Sequence, residues 1–144
     1  MAPEILFGVQ YDTQADIWSL GVIIYILLGG YPPFIDKTQK NLFRKIKRGE
    51  YEFHAQYWSS VSPGAKKLIT RMLTVDPDER ITAQEALKDD WILGNSEELA
   101  GMDLSVNLTE FKKFNAMRKF KGAVKAVSFV DVVYVFYCHA TFYT

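Results

Sequence analysis

Cysteine is nearly missing from this 144-residue sequence. Cys138 stands alone, so no internal disulfide can form, and with only His54 and His139 present there is no Cys/His set at zinc-ligand spacing. A reducing setting is the matching expectation. Long apolar runs are missing too. The longest, Ile17 to Leu28, covers 12 residues, whereas a bilayer needs about 20, so it is expected as a core helix and not as a membrane span. No basic leader with an apolar h-region opens the sequence, which points to a cytoplasmic location. A net charge is also lacking: Lys plus Arg number 17 and Asp plus Glu number 17, so composition gives no reason to expect nucleic acid as a partner. Internal repeats and low-complexity tracts do not occur, and before residue 128 there is no long β-alternating stretch.

What is present suits a packed domain: 49% apolar, 15% aromatic and 24% charged residues. The charges are unevenly placed. Residues 1–110 hold 16 acids against 11 bases, residues 111–130 hold six bases and no acid, and residues 131–144 hold only Asp131. Helix signals follow one another along the first part. Asp12 and Thr13 offer capping oxygens ahead of Ile17 to Leu28, and Gly29-Gly30 ends that helix. Apolar residues occupy all its faces, which predicts burial on every side. Tyr31-Pro32-Pro33 is a rigid turn. Thr38 to Gly49 reads as an amphipathic surface helix with Leu42, Phe43 and Ile46 inward. Its cluster Arg44, Lys45, Lys47 and Arg48 reads as a solvated face or as a dock for an acidic partner. Ser62-Pro63 opens a helix carrying Leu68, Ile69, Met72 and Leu73. Thr82 with Glu85 is a capping box for a helix running through Leu87 toward Trp91.

Several short motifs occur in order: Ala2-Pro3-Glu4, Asp16-Ile17-Trp18-Ser19-Leu20-Gly21, Gly30-Tyr31-Pro32-Pro33-Phe34, Asp76-Pro77-Asp78-Glu79-Arg80 and a final Trp91. Together they resemble the C-terminal part of the large lobe of a eukaryotic protein kinase, over roughly residues 1–93. The run WSLGVIIYILLGGYPPF is most similar to the calcium/calmodulin-dependent serine/threonine kinase group, as is Ile26, where some other basophilic kinases carry a glutamate. The resemblance implies structural roles for Glu4, Arg80, Asp16 and Trp18. Glu4 and Arg80 would form a buried ion pair, and Asp16 would accept backbone N–H bonds from the kinase catalytic loop. The plainer alternative for Glu4 and Arg80 is two ordinary exposed charges, and for Asp16 a plain helix cap.

Phosphoryl transfer needs a Gly-rich loop over the phosphates, a catalytic-loop aspartate and a magnesium-holding aspartate. The sequence has no G-x-G-x-x-G, no H-R-D and no D-F-G. No catalytic residue, metal ligand or cofactor is therefore expected in this chain. ATP and magnesium, with protein substrates, belong by resemblance to a full-length parent. Relatives often read tyrosine before Met1-Ala2-Pro3-Glu4, which makes Met1 resemble an internal methionine and the chain a truncated product. Lys88-Asp89-Asp90 stands where kinases usually place histidine and proline before Trp91.

The second constellation is FKKFNAMRKFKGAVKAV, residues 111–127. Lys112, Lys113, Arg118, Lys119, Lys121 and Lys125 alternate with Phe111, Phe114, Met117, Phe120, Val124 and Val127. A basic amphipathic helix is a calmodulin target, a membrane-surface helix or a solvated helix packing on its own domain. The stretch resembles the autoregulatory, calmodulin-binding segment of the same kinase group. That resemblance assigns calcium-loaded calmodulin as partner to Phe111, Lys112, Lys113, Phe114, Met117, Arg118, Lys119, Phe120, Lys121, Val124 and Phe129. Phe120, Val124 and Phe129 fall at relative positions 1, 5 and 10, a spacing the group's anchors use. Asn107 stands where some relatives autophosphorylate a threonine.

The expected fold is mainly α: a C-terminal large-lobe fragment of the protein-kinase fold over 1–93, a linker over 94–108, a basic amphipathic regulatory helix over 109–127 and an unassigned apolar tail over 128–144. The expected function is that of a piece of a calmodulin-regulated serine/threonine kinase, inactive alone. The alternative is a non-catalytic helical module that binds calmodulin or kinase partners.

Overall fold

The computed structural model describes residues 1–8, 12–94 and 105–119. Its secondary structure is helical, with no strand among the described residues. The elements are α1 (Pro3–Leu6), α2 (Thr13–Gly29), α3 (Gln39–Arg48), α4 (Ala55–Trp58), α5 (Pro63–Met72), α6 (Ala83–Ala86) and α7 (Asp90–Leu93). A further helix, α8, covers 105–119. Two compact units divide the chain, Met1–Phe111 and Lys112–Thr144.

In the first unit the local signals act as their chemistry dictates. Asp12 caps α2 by accepting from the amides of Gln14 and Ala15, Thr38 caps α3 through Asn41 N, and Ser62 caps α5 through Ala65 N. Thr82 and Glu85 form a reciprocal capping box on α6. At the C-terminal ends, Gly30 (φ 82°) and Gly49 (φ 63°) take the left-handed conformation that closes α2 and α3. The helix expected to run from Thr82 to Trp91 is broken. It ends at Ala86 and a new turn, α7, begins at Asp90. Asp89 is the reason, because its carboxylate accepts from Trp91 N and starts a fresh N-terminus.

The core is built on α2. Trp18 and Tyr25 from α2 join Trp58, Val61, Ala65, Ile69 and Leu73, while Ile17 joins Leu68, Met72, Ile81 and Ala86. Gly21 lets α2 and α5 come close, since a Cβ there would lie 2.8 Å from Met72 Cβ. Burial of α2 is not complete, contrary to its all-apolar sequence. Leu20, Ile23 and Leu27 are 42%, 52% and 57% exposed. These three recur at helical spacing and share one face, and none of the described helices covers that face.

Candidate functional site

Arg80 organises the first unit from its centre. It lies in the loop after α5, and its side chain is fully buried. Nη1 donates to Glu4 Oε1 at 2.8 Å and Nη2 to Glu4 Oε2 at 3.0 Å, a two-pronged guanidinium–carboxylate pair. The remaining donors reach carbonyls: Nε to Thr74 at 2.9 Å, Nη1 to Gln14 at 2.6 Å and Nη2 to Val75 at 3.1 Å. All five N–H groups of the guanidinium are thereby filled. Trp18 lies against it, with the guanidinium carbon 5.1 Å from the ring, and stacks on Phe34 at 5.6 Å. The hydrogen bonds from Arg80 hold the Glu4 carboxyl below the usual range, outweighing the opposite pull of desolvation.

Glu4, Arg80 and Trp18 are thus brought together, and the reading of Glu4 and Arg80 as exposed charges is excluded. Asp16 is not part of this cluster. It is exposed on the first turn of α2, and the cap of that helix is Asp12. Sequence reasoning missed Gln14, whose Nε2 donates to the carbonyls of Pro77 at 2.8 Å and Arg80 at 2.9 Å and so fixes the loop that carries the arginine. A long amide side chain two residues past a helix cap was the available signal.

A second polar anchor lies at the other end of α2. Asn107, in the first turns of α8, is 2% exposed. Its Nδ2 donates to Leu28 O, one of the last carbonyls of α2, and to Tyr57 O in α4 at 2.6 Å. Neither helix can fill these carbonyls itself. Gly30 makes the approach possible: a Cβ there would stand 2.5 Å from Asn107 O, 2.9 Å from Glu110 Cβ and 3.1 Å from Phe111 N. The helix is therefore present from residue 105, four residues before the boundary expected at 109. Sequence reasoning registered Asn107 only as a missing threonine. A lone amide between Val106 and Leu108 was the clue.

Beside this anchor sits an aromatic network. Trp58 Nε1 donates to the Tyr31 hydroxyl at 3.0 Å, the Tyr25 hydroxyl lies 3.0 Å from the same oxygen, and Tyr25 donates to Glu52 O at 2.6 Å. Burial pushes the Tyr25 hydroxyl well above its ordinary value. The hydroxyl is a fixed donor and not an acid–base group.

In the second unit, Lys112, Lys113, Met117, Arg118 and Lys119 are exposed on the helix, and Phe114 is half-buried. Phe111, also half-buried, ends the first unit. Phe120, Lys121, Val124 and Phe129, the greater part of the expected linker, and the tail over 128–144 lie outside the described residues. Among the described residues no three His, Cys, Asp or Glu side chains are placed to share a metal ion. No described helix is long and apolar enough to cross a membrane.

The arrangement fixes backbone segments and offers a basic helix. The residues that carry the first unit are also those that a family model recognises: the model described as protein kinase domain matches residues 1–92. The ordered motifs, the mainly helical fold and this match agree, and the chain belongs to the protein kinase domain family.

Proposed function

We propose that this chain is the substrate-side portion of a calmodulin-regulated, cytoplasmic serine/threonine kinase, with the segment after the lobe as its calmodulin-binding, autoregulatory helix. The observation that carries the reading is the state of α8. Its first turns are fastened to the lobe through Asn107, and its continuation presents Lys112, Lys113, Arg118 and Lys119 to solvent. An autoregulatory segment needs both properties, a foothold on the lobe and a surface a competitor can grip.

Calmodulin has acidic, methionine-rich lobes that open when calcium binds, so aromatic anchors fill the exposed groove while lysines meet carboxylates. ATP and magnesium would serve the parent's phosphoryl transfer. The described residues provide neither a phosphate-cradling glycine loop nor a metal-ligand set.

Isothermal titration of calmodulin with the full chain and with a peptide spanning Leu108 to Phe129, with calcium and with chelator, tests the proposal. Binding is expected only with calcium. Phe120→Ala removes a large apolar anchor flanked by lysines and should weaken it by ~2 to 4 kcal/mol, the range of an interface hot spot. Equal binding in chelator, or an unchanged affinity on substitution, would reduce the segment to a solvated helix.

A further inference from the structure

The face between α1 and α3 carries a groove that neither the arginine cluster nor α8 uses. Leu6, Phe7 and Phe43 line it together with Lys40, Arg44, Lys47 and Arg48, around a cavity of about 540 Å³. Phe7 closes α1 and is 61% exposed. Lys47 Nζ lies 4.2 Å from the centre of its ring. Among the described residues no acid lines this groove.

Among the described residues the cations there are largely uncompensated. Arg48 meets Glu50 at 3.3 Å with both side chains well exposed, a weak pairing in water. Lys40, Arg44 and Lys47 have no ion pair among the described residues. Lys45 of the same helix does not line the groove, and it is paired with Asp36 at 3.2 Å and bonded to Ile35 O at 2.8 Å. Helix electrostatics do not account for the pattern either. Basic residues near the C-terminal end of α3 favour its dipole, but Lys40 sits in the first turn, where a cation is unfavourable.

We propose that this groove docks an acidic segment of a partner protein, one that carries a large apolar side chain between carboxylates. The apolar floor takes the anchor and sheds water, while the rim selects negative charge and speeds encounter. Both halves of the surface are needed for this assignment. A duplex nucleic acid would supply the charge but nothing to fill the floor, and a layer of anionic headgroups likewise offers no single side chain to enter the recess lined by Leu6, Phe7 and Phe43. The proposal is independent of the calmodulin reading, since it involves no residue of α8 and no calcium.

The test uses the full chain in calcium-free buffer and a fluorescein-labelled peptide, Gly-Glu-Glu-Phe-Leu-Glu-Glu-Gly, followed by fluorescence anisotropy. A second peptide replaces Phe-Leu with Gly-Gly. Saturable binding of the first peptide is expected, weakened at least roughly fivefold by the double variant Arg44→Glu, Lys47→Glu, by Phe7→Ala, and by high salt. These side chains lie at the surface, so circular dichroism of the variants should match the parent. Absence of binding, equal binding of the two peptides, or full retention by both variants would overturn the proposal. So would adsorption confined to phosphatidylserine vesicles, since it would assign the patch to a lipid surface.

Discussion

Arg80 and Asn107 are each 2% exposed, and each donates to a backbone carbonyl of an element distant in sequence, Arg80 to Gln14 and Asn107 to Tyr57. Arg80 gathers α1, the start of α2 and the loop after α5, and carries a full charge neutralised by Glu4. Asn107 joins α8 to the ends of α2 and α4 with a neutral amide. Their loss has different consequences. A buried guanidinium without its carboxylate has no cheap alternative, whereas two helix-end carbonyls released by an amide can turn to water. The first anchor is suited to permanence and the second to release, and they sit at opposite ends of α2.

The comparison breaks most sharply at the charged end. Arg80→Ala leaves the Glu4 carboxylate buried and unpaired, and should cost ~3 to 5 kcal/mol. Chemical denaturation read by circular dichroism should show either a large fall in midpoint or loss of the folded state. Retained stability would mean that the cluster is incidental to the fold.

At the other end, Gly30→Ala combines a left-handed backbone with a Cβ directed at Asn107 O, and about 1 to 3 kcal/mol is expected. Hydrogen exchange should accelerate in residues 105–111 more than in α5. Uniform acceleration would instead show that the glycine serves the whole unit.

Asn107→Ala has the smaller expected effect, about 1 to 2 kcal/mol, because only neutral hydrogen bonds are lost. The same exchange measurement should show opening of 105–111 with α2 and α5 still protected. If the core opens together with the helix, Asn107 is no separable anchor.

Acid sharpens the contrast with the least perturbation. The Glu4 carboxyl is held below its ordinary value of 4.5 in the folded chain, so its contribution to stability is fully present above that value and is lost as pH falls through the lowered folded value. From pH 8 to 5 this group adds no pH dependence. Below about 4.5 the wild type should lose stability more steeply than a Glu4→Gln variant, which has no carboxylate to protonate. The Asn107 amide does not titrate, so Asn107→Ala should leave the acid slope unchanged.

Much of the fold was legible because it is local. The caps at Asp12, Thr38, Ser62 and Thr82 act within three residues of themselves, and the glycines that stop α2 and α3 respond to backbone geometry alone. The pairing of Glu4 with Arg80 was legible only through resemblance, because nothing in either residue's neighbourhood points 76 positions away. Two features escaped for a different reason. The exposure of Leu20, Ile23 and Leu27 depends on which helices reach α2, and an all-apolar sequence does not encode which face stays bare. Asn107 looks like an ordinary polar residue until the carbonyls of Leu28 and Tyr57 are placed beside it. The groove on α1 and α3 was half visible: the basic cluster stands in the sequence, but the apolar floor that separates a dock from a solvated face needed Phe7 and Phe43 brought together.

Trp58 gives the molecule a built-in optical gauge. Its ring is buried, 4.7 Å from Tyr25 and 4.6 Å from Phe53, and its neighbour Tyr57 supplies the carbonyl that Asn107 holds. The indole also lies so close to Gly29 that a Cβ there would come within 2.7 Å of it. Departure of the 105–111 segment frees the Tyr57 carbonyl, one residue from the indole, and a shift of the indole emission to the red is the expected outcome where that change lets water reach the ring. Trp18, shut in beneath Arg80 at the far end of α2, and Trp91, half-buried on α7, supply the background against which that change is read. Intrinsic fluorescence therefore follows the neutral anchor in real time, without a dye or a tag.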